Sequence, residues 1–342
     1  MSADPNHSEN PIEPSSGPEC FQILALDGGG AKALFTAHVL ARLEEDLDVR
    51  VVDSFDLIAG TSAGGIIALA LGAGLRPAEI RDHFDSLVHD VFPATRRRSP
   101  HRTVRPAYSA KALNQALAGV LCDRVLGESS KRLIIPSWDV AMGSVHVFKT
   151  PHHERLRRDW KIPMVDVAMA TTAAPTFFPA ALVDGHRLID GGVWANNPSV
   201  IAITEAISML DARLGDIRIL NIGTMDPVGI GAHPERRDRG GWAQWMTSVT
   251  DLLISASSRG GQGTAEHLVG KGNYHRFDAR VPGGVYALDK IKPDRLAGIA
   301  ASVSREISPT YQQFFAQHIA PPYTPMTGPG APAATTAPEA TR

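Results

Sequence analysis

The sequence predicts an α/β protein whose mostly parallel central sheet is flanked by helices on both faces. Three observations carry that expectation. Short apolar runs alternate with stretches of helical periodicity over most of the chain. Two of those runs turn straight into helices through glycine-rich bends, in "ALDGGGAKALF" and in "IAGTSAGGIIAL". The 342 residues are 43% hydrophobic and 20% charged, the composition of a soluble globular protein with one large core or two modest ones.

In chain order, Ile23–Leu26 reads as a strand, and Ala33–Asp46 as a helix with Leu34, Val39, Leu40 and Leu43 on its apolar side. Asp56–Ala59 is a second strand and Ala63–Leu71 a second helix. Pro77–His89 is a helix with proline in its first turn, and Ser109 is an N-cap for the helical run after it. Leu133–Ile135 and Val145–Phe148 read as short strands, Pro163–Ala170 as a helix and Arg187–Ile189 as a strand. Ser199–Leu214 is helical, Arg218–Ile222 extended, and helical patterns return over Trp242–Ser257 and Arg295–Phe315. There is no internal repeat.

Both ends read differently. Residues 1–19 are polar and proline-rich, with neither the basic nor the apolar region of a signal peptide, and residues 323–342 are rich in Pro, Ala and Thr. The expectation is two disordered tails around one folded domain at 20–322. Leu57 to Leu75 is uncharged and long enough for a membrane span, but its five glycines and unanchored flanks fit a buried strand turning into a buried helix. A formal net charge of −2 gives no basic field for nucleic acid. Cys20 and Cys122 form no framework and read as a reduced pair. No cluster has metal-ligand spacing, so metal-independent chemistry is expected, and no cofactor.

The second bend carries the sharper signal. Gly60-Thr61-Ser62-Ala63-Gly64 is a G-x-S-x-G between an apolar strand and an apolar helix, the setting of a nucleophile elbow. Small residues at Gly60 and Gly64 let strand and helix approach, and the turn lifts the Ser62 hydroxyl to the N-terminus of the helix. The first bend, Gly28, Gly29 and Gly30, aims backbone N–H groups at an anion. With Ala33 it also fits the relaxed dinucleotide fingerprint G-x-G-x-x-G/A, so the residues alone allow a cofactor pyrophosphate or a reaction's oxyanion. Asp48 and Asp53 lie near the distance of a ribose-binding acid, yet both precede the second strand. "LIDGGVWANNPS" is the most site-like acidic stretch: Asp190 ends an apolar run, Gly191 and Gly192 free the backbone, and Asn196 and Asn197 hold the loop.

Together "DGGGAK", "GTSAGG", "DGGVWANNP" and the small-residue stretch "ATTAAPTFFPA" resemble the patatin-like phospholipases, in that family's order, over most of residues 21–224. The resemblance implies a patatin-like three-layer fold and a Ser–Asp dyad in place of a triad. Ser62 would then be the nucleophile, Asp190 its general base, and Gly28, Gly29 and Gly30 the oxyanion hole. The departure is Ala33, where the family usually has glycine; Lys32 at its basic position would steady the turn. Within the family, "FDLIAGTSAGGIIALALGAG", "VFKTPHHERLRRD" and "LIDGGVWANNPSVIAITEA" look closest to bacterial anti-phage (CBASS) effectors, which degrade the cell's own phospholipids once a cyclic dinucleotide binds. That branch implies a cytoplasmic enzyme working peripherally at the inner membrane, with a cyclic dinucleotide activator and phospholipid as substrate; the sequence leaves the oligomeric state open, a homo-oligomer included.

Two basic segments suit phosphate: Arg96, Arg97, Arg98, Arg102 and Arg105 in one, and Lys149, His152, His153, Arg155, Arg157 and Arg158 in the other. Trp242 and Trp245 share one helix face and fit either a core or a membrane interface. Two other functional classes stay open on the residues alone. One is an esterase with a true triad, for which His186, His267 and His275 are the candidate histidines; the other is a non-catalytic dinucleotide-binding module on "DGGGAKA".

Overall fold

The computed structural model describes residues 20–92, 106–225, 227–228, 249–282, 293–328 and 331. The expected residues Arg96, Arg97, Arg98, Arg102, Arg105, Trp242 and Trp245, and the tail at 1–19, lie outside these. Strand β1 (Phe21–Leu26) is buried along its whole length, and parallel neighbours flank it on both sides: β2 (Leu57–Gly60) and β7 (Ile217–Ile222). A strand covered on both faces needs apolar side chains in both directions. Leu24, Leu26, Ile58, Leu220 and Ile222 accordingly feed one core, while Phe21, Ile23, Leu57, Ile217 and Ile219 feed the other.

The larger core is covered by α1 (Leu34–Leu47), α2 (Ala63–Gly72), α3 (Pro77–Val91), α4 (Ala110–Leu121), α5 (Met164–Thr171) and the long α9 (Pro293–Phe314). The smaller is closed by α7 (Ser199–Met209) and α8 (Val249–Val269), and the single-turn α6 (Gly192–Ala195) comes just before α7 in the chain. This gives the expected three layers. All ten residues of α2 are buried, which explains its membrane-like composition, and no helix among the described residues is long and apolar enough to cross a membrane.

Beyond β2 the sheet changes direction. Strand β3 (Arg132–Asp139) runs parallel to β2, but β4 (Ser144–Lys149) and β6 (His186–Asp190) pair with it antiparallel, and β5 (Ala181–Val183) pairs antiparallel with β6. On the far side, β8 (Tyr274–Phe277) adds to β7 in parallel. Neither β5 nor β8 is expected from the sequence. The helix expected at Ser199–Leu214 stops at Met209, because Asp211 takes a left-handed conformation (φ 53°) and the chain turns into a short 3₁₀ segment. The tail expected from 323 is also corrected in part. Residues 323–328 lie against the body: the Met326 N–H donates to the Pro151 carbonyl (2.7 Å), and the Arg132 guanidinium sits over the Tyr323 ring. Both cysteines are free.

Candidate active site

Strand polarity brings the site together. Residues 132–134 of β3 pair with β2, and residues 137–139 pair with β6. β4 occupies the opposite edge over 134–139, so β2 and β6 share one edge and meet with their C-terminal ends facing. Pro136 fills the gap between them, where neither strand pairs and no N–H is needed. The residues that follow β2 and end β6 are therefore delivered to one point, although 128 positions separate Ser62 from Asp190.

At that point the Ser62 hydroxyl donates to Asp190 Oδ2 at 2.6 Å, and both residues are buried. Ser62 has φ 54°, a conformation that costs a non-glycine residue about 1–3 kcal/mol. Its surroundings hold it there: the Ser62 N–H donates to Thr171 Oγ1 (3.0 Å), whose own hydroxyl donates to the Pro136 carbonyl (2.7 Å). On the other side Thr61 Oγ1 donates to the Ala195 carbonyl (2.6 Å). The close approach behind the turn needs glycine, since a Cβ on Gly64 would stand 2.5 Å from the Leu26 carbonyl oxygen and one on Gly60 2.3 Å from that of Gly64.

Asp190 accepts a second bond at Oδ1, from the Gly192 N–H (2.7 Å), and has no cation as a partner among the described residues. Burial pushes its carboxyl up to about 6, while the bonds from Ser62 and Gly192 pull the other way. That answers how an aspartate, ordinarily a weak base, becomes a stronger one here.

The glycine loop differs from expectation at one position. The Gly28 N–H donates to the Asn196 carbonyl (3.0 Å), so it is not available to an oxyanion. Gly28 packs instead: a Cβ there would meet Asn196 Oδ1 at 2.3 Å and Ser62 Cβ at 3.2 Å. Its carbonyl accepts from Thr224 Oγ1 (2.9 Å) and Asn196 Nδ2 (3.2 Å). Gly29 and Gly30 line the cleft beside Ser62 and Ala63, the first residue of α2. Asp27 anchors the loop from behind, accepting from Asn221, Ser258 and Arg276 (2.7–2.8 Å).

The cleft has about 610 Å³ of space between its atoms and is narrow and mostly apolar, walled by side chains such as Ile66, Phe84, Leu87, Leu113, Phe177 and Phe178. Among the described residues that line it there is no Lys, Arg or His, and these residues offer an alkyl chain a surface and a pyrophosphate no counter-charge. The three candidate histidines are elsewhere. His186 bonds Asp139 (2.7 Å), His275 packs on Phe314 and Phe315, and His267 lies in the last turn of α8.

Of the expected phosphate contacts, His152 is corrected. It is buried, with one ring nitrogen against Thr150 Oγ1 (2.9 Å) and the other against Glu205 Oε1 (3.0 Å), and Glu205 also takes the Lys149 ammonium. The flanking charges in "KTPHHERLRRD" hide that burial, because Glu205 arrives from α7. His153 is half-buried and accepts the Arg155 N–H (3.1 Å), whereas Arg155, Arg157 and Arg158 are exposed. Sequence reasoning misses Thr171, Thr224 and Arg276; for Thr171 alone there is a signal, its place in "ATTAAPTFFPA".

A family model described as patatin-like phospholipase matches residues 24–203. The chain is 34% identical over 297 residues to a cGAMP-activated phospholipase of Pseudomonas aeruginosa, covering 84% of this chain and 83% of the relative. It is 37% identical to one of Vibrio cholerae (63% of this chain, 67% of the relative) and 35% identical to one of Escherichia coli (60% and 62%).

Proposed function

This chain belongs to the patatin-like phospholipase family and hydrolyses lipid esters, and from that premise we propose that Ser62 and Asp190 are its catalytic dyad, acting on acyl esters of membrane phospholipids under the control of a cyclic dinucleotide. The observation that carries the dyad is the 2.6 Å bond from the Ser62 hydroxyl to a buried carboxylate at the polar end of an apolar cleft.

On this reading the acyl chain lies along Phe177, Phe178 and Leu113 with its ester carbonyl above Ser62. Asp190 Oδ2 takes the hydroxyl proton as Oγ attacks, and the carbonyl oxygen becomes an oxyanion. The amides of Gly29 and Gly30 and the N-terminus of α2 face that charge; losing one such donor typically costs about 10²–10³ in turnover. The proton passes to the departing alcohol. A water activated by Asp190 then attacks the acyl-enzyme, releases the fatty acid and restores the hydroxyl.

Nucleotide control is supported by the bacterial relatives, which are named for activation by cGAMP. The catalytic unit is residues 20–322 with 323–328 laid on its surface, acting at the membrane face without crossing it. Release of fatty acid from phospholipid vesicles, measured with and without a panel of cyclic dinucleotides, tests the whole reading. Wild type is expected to respond to at least one nucleotide, and Ser62→Ala to none. Full activity without nucleotide would leave a constitutive lipase, and activity in Ser62→Ala would remove the dyad.

A further inference from the structure

A second cleft lies at the antiparallel end of the sheet, between β4, the segment 155–159 and the tip of the β5–β6 hairpin, with about 960 Å³ of space between its atoms. Its character is opposite to that of the Ser62 cleft. Arg155, Arg157 and Arg158 line it, against the carboxylates of Asp159 and Asp184. Asp159 is occupied, accepting the Lys149 N–H (3.0 Å), and the Lys149 ammonium is turned to Glu205. The three guanidinium groups are exposed and form the cleft's positive rim.

One wall is aromatic and incompletely satisfied. The His146 ring stands 4.5 Å from Phe148 and 5.0 Å from His186, centroid to centroid. His146 Nε2 is buried without a hydrogen-bond partner among the described residues, which leaves a buried polar atom wanting one. Arginine forks match phosphodiester oxygens, and flat rings and guanidinium planes accept stacked bases.

We propose that this cleft seats the activating cyclic dinucleotide, with Arg155 and Arg158 on its phosphodiesters and the His146 wall against a base. The inference rests on the nucleotide-switched reading above and adds the site. The fold also supplies a route to the chemistry. The hairpin places Val183, Asp184 and His186 in this cleft, and both its stems run to the other one: Phe177 and Phe178 precede β5, and Asp190 ends β6. His186 and Asp190 are four residues apart on one strand, roughly 13 Å. A ligand that shifts the hairpin tip therefore moves two walls of the narrow acyl cleft at once.

The test is calorimetric titration of the full chain with cyclic GMP–AMP, together with the rate at which a long-chain fluorophosphonate labels Ser62. Wild type should bind the nucleotide and label faster in its presence. Arg155→Gln with Arg158→Gln should bind at least tenfold more weakly and lose the acceleration, with an unchanged melting temperature because both side chains are exposed; His146→Leu is the independent second variant. Undiminished binding in both variants would overturn the site while leaving the nucleotide switch intact. No binding by wild type, with full activity on vesicles, would remove the switch and the site together. A variant that instead loses attachment to anionic vesicles but keeps the nucleotide would reassign the arginines to lipid headgroup phosphate.

Discussion

Asp27 and Asp190 close two strands of the same sheet and are 1% and 4% exposed, yet their surroundings treat them in opposite ways. Burial pushes both carboxyls up. At Asp27 the Arg276 guanidinium (2.7 Å), Asn221 and Ser258 pull the other way, and every bond is to a group fixed in the fold. At Asp190 the opposing bonds among the described residues come from one hydroxyl and one backbone N–H. A carboxylate surrounded by permanent partners holds a loop in place. One left with a cleft-facing hydroxyl keeps its basicity for that hydroxyl.

Replacing each by asparagine separates the two roles, and the largest effect belongs to Asp190. An amide in its place keeps the shape and the bond to Gly192 but cannot take the Ser62 proton. Turnover on phospholipid vesicles should fall about 10⁴-fold, the scale seen when a triad carboxylate is neutralised. A fall of less than tenfold would break the contrast at once. Asp27→Asn should instead act through the fold. It strips Arg276 of its 2.7 Å contact with a carboxylate and leaves a largely buried cation short of charge, a change worth about 3–5 kcal/mol. Asp278, at 2.9 Å from the same guanidinium, keeps the loss toward the lower figure. Urea unfolding reads it directly, and a stable Asp27→Asn protein with no loss would mean that the ion pair is ornamental.

The next effect has the opposite sign. With its carboxyl raised from 3.8 to about 6, folded Asp190 holds a proton more tightly than the unfolded chain does. Its contribution to stability is complete below about pH 4 and is lost as pH climbs to about 6, the unfolded state ionising first. The shift corresponds to on the order of 3 kcal/mol at its ceiling. Asp190→Asn should therefore raise the unfolding free energy at pH 8 by up to that amount and change nothing at pH 4. Over the same interval, kcat/KM of the wild type should rise with pH and level off above about 6. A mutant no more stable than wild type at pH 8 would show that burial does not strain this carboxylate.

The sequence makes some of this legible and not the rest. The two strand–glycine–helix bends can be read because the turn itself demands small residues: a Cβ on Gly60 would meet the Gly64 carbonyl four positions on, and the approach of β1 adds the same demand at Gly64. β1 and β2 are readable as continuous apolar runs. β5, three residues long, carries no period to detect, and His152 looks like a surface histidine until Glu205 reaches it from α7. The Gly28 amide is lost to the oxyanion for an equally remote reason, the Asn196 carbonyl 168 positions away. Local conformation is encoded where it occurs; the identity of a distant partner is not.

Thr171 carries the comparison to its smallest expected effect. Around Asp27 the neighbours bind the carboxylate itself, whereas at Asp190 the Gly192 N–H takes Oδ1, Oδ2 is left to the serine, and Thr171 binds the backbone of the Ser62 turn. Thr171 is the clearest case, accepting the Ser62 N–H and donating to the Pro136 carbonyl, with no hydrogen bond to either side chain of the pair among the described residues. Thr171→Val keeps the shape and removes both bonds, leaving a buried donor and a buried acceptor unmet. Such a loss costs about 1–2 kcal/mol here, at the low end for buried groups, since the turn can relax its φ of 54° once it is released. That relaxation should move the hydroxyl off Asp190 Oδ2 and lower kcat about tenfold with KM little changed, while Thr171→Ser, which restores the hydroxyl, recovers most of it. Equal kcat in valine and serine variants would place the support of the Ser62 turn in the glycine packing behind it and not in this side chain.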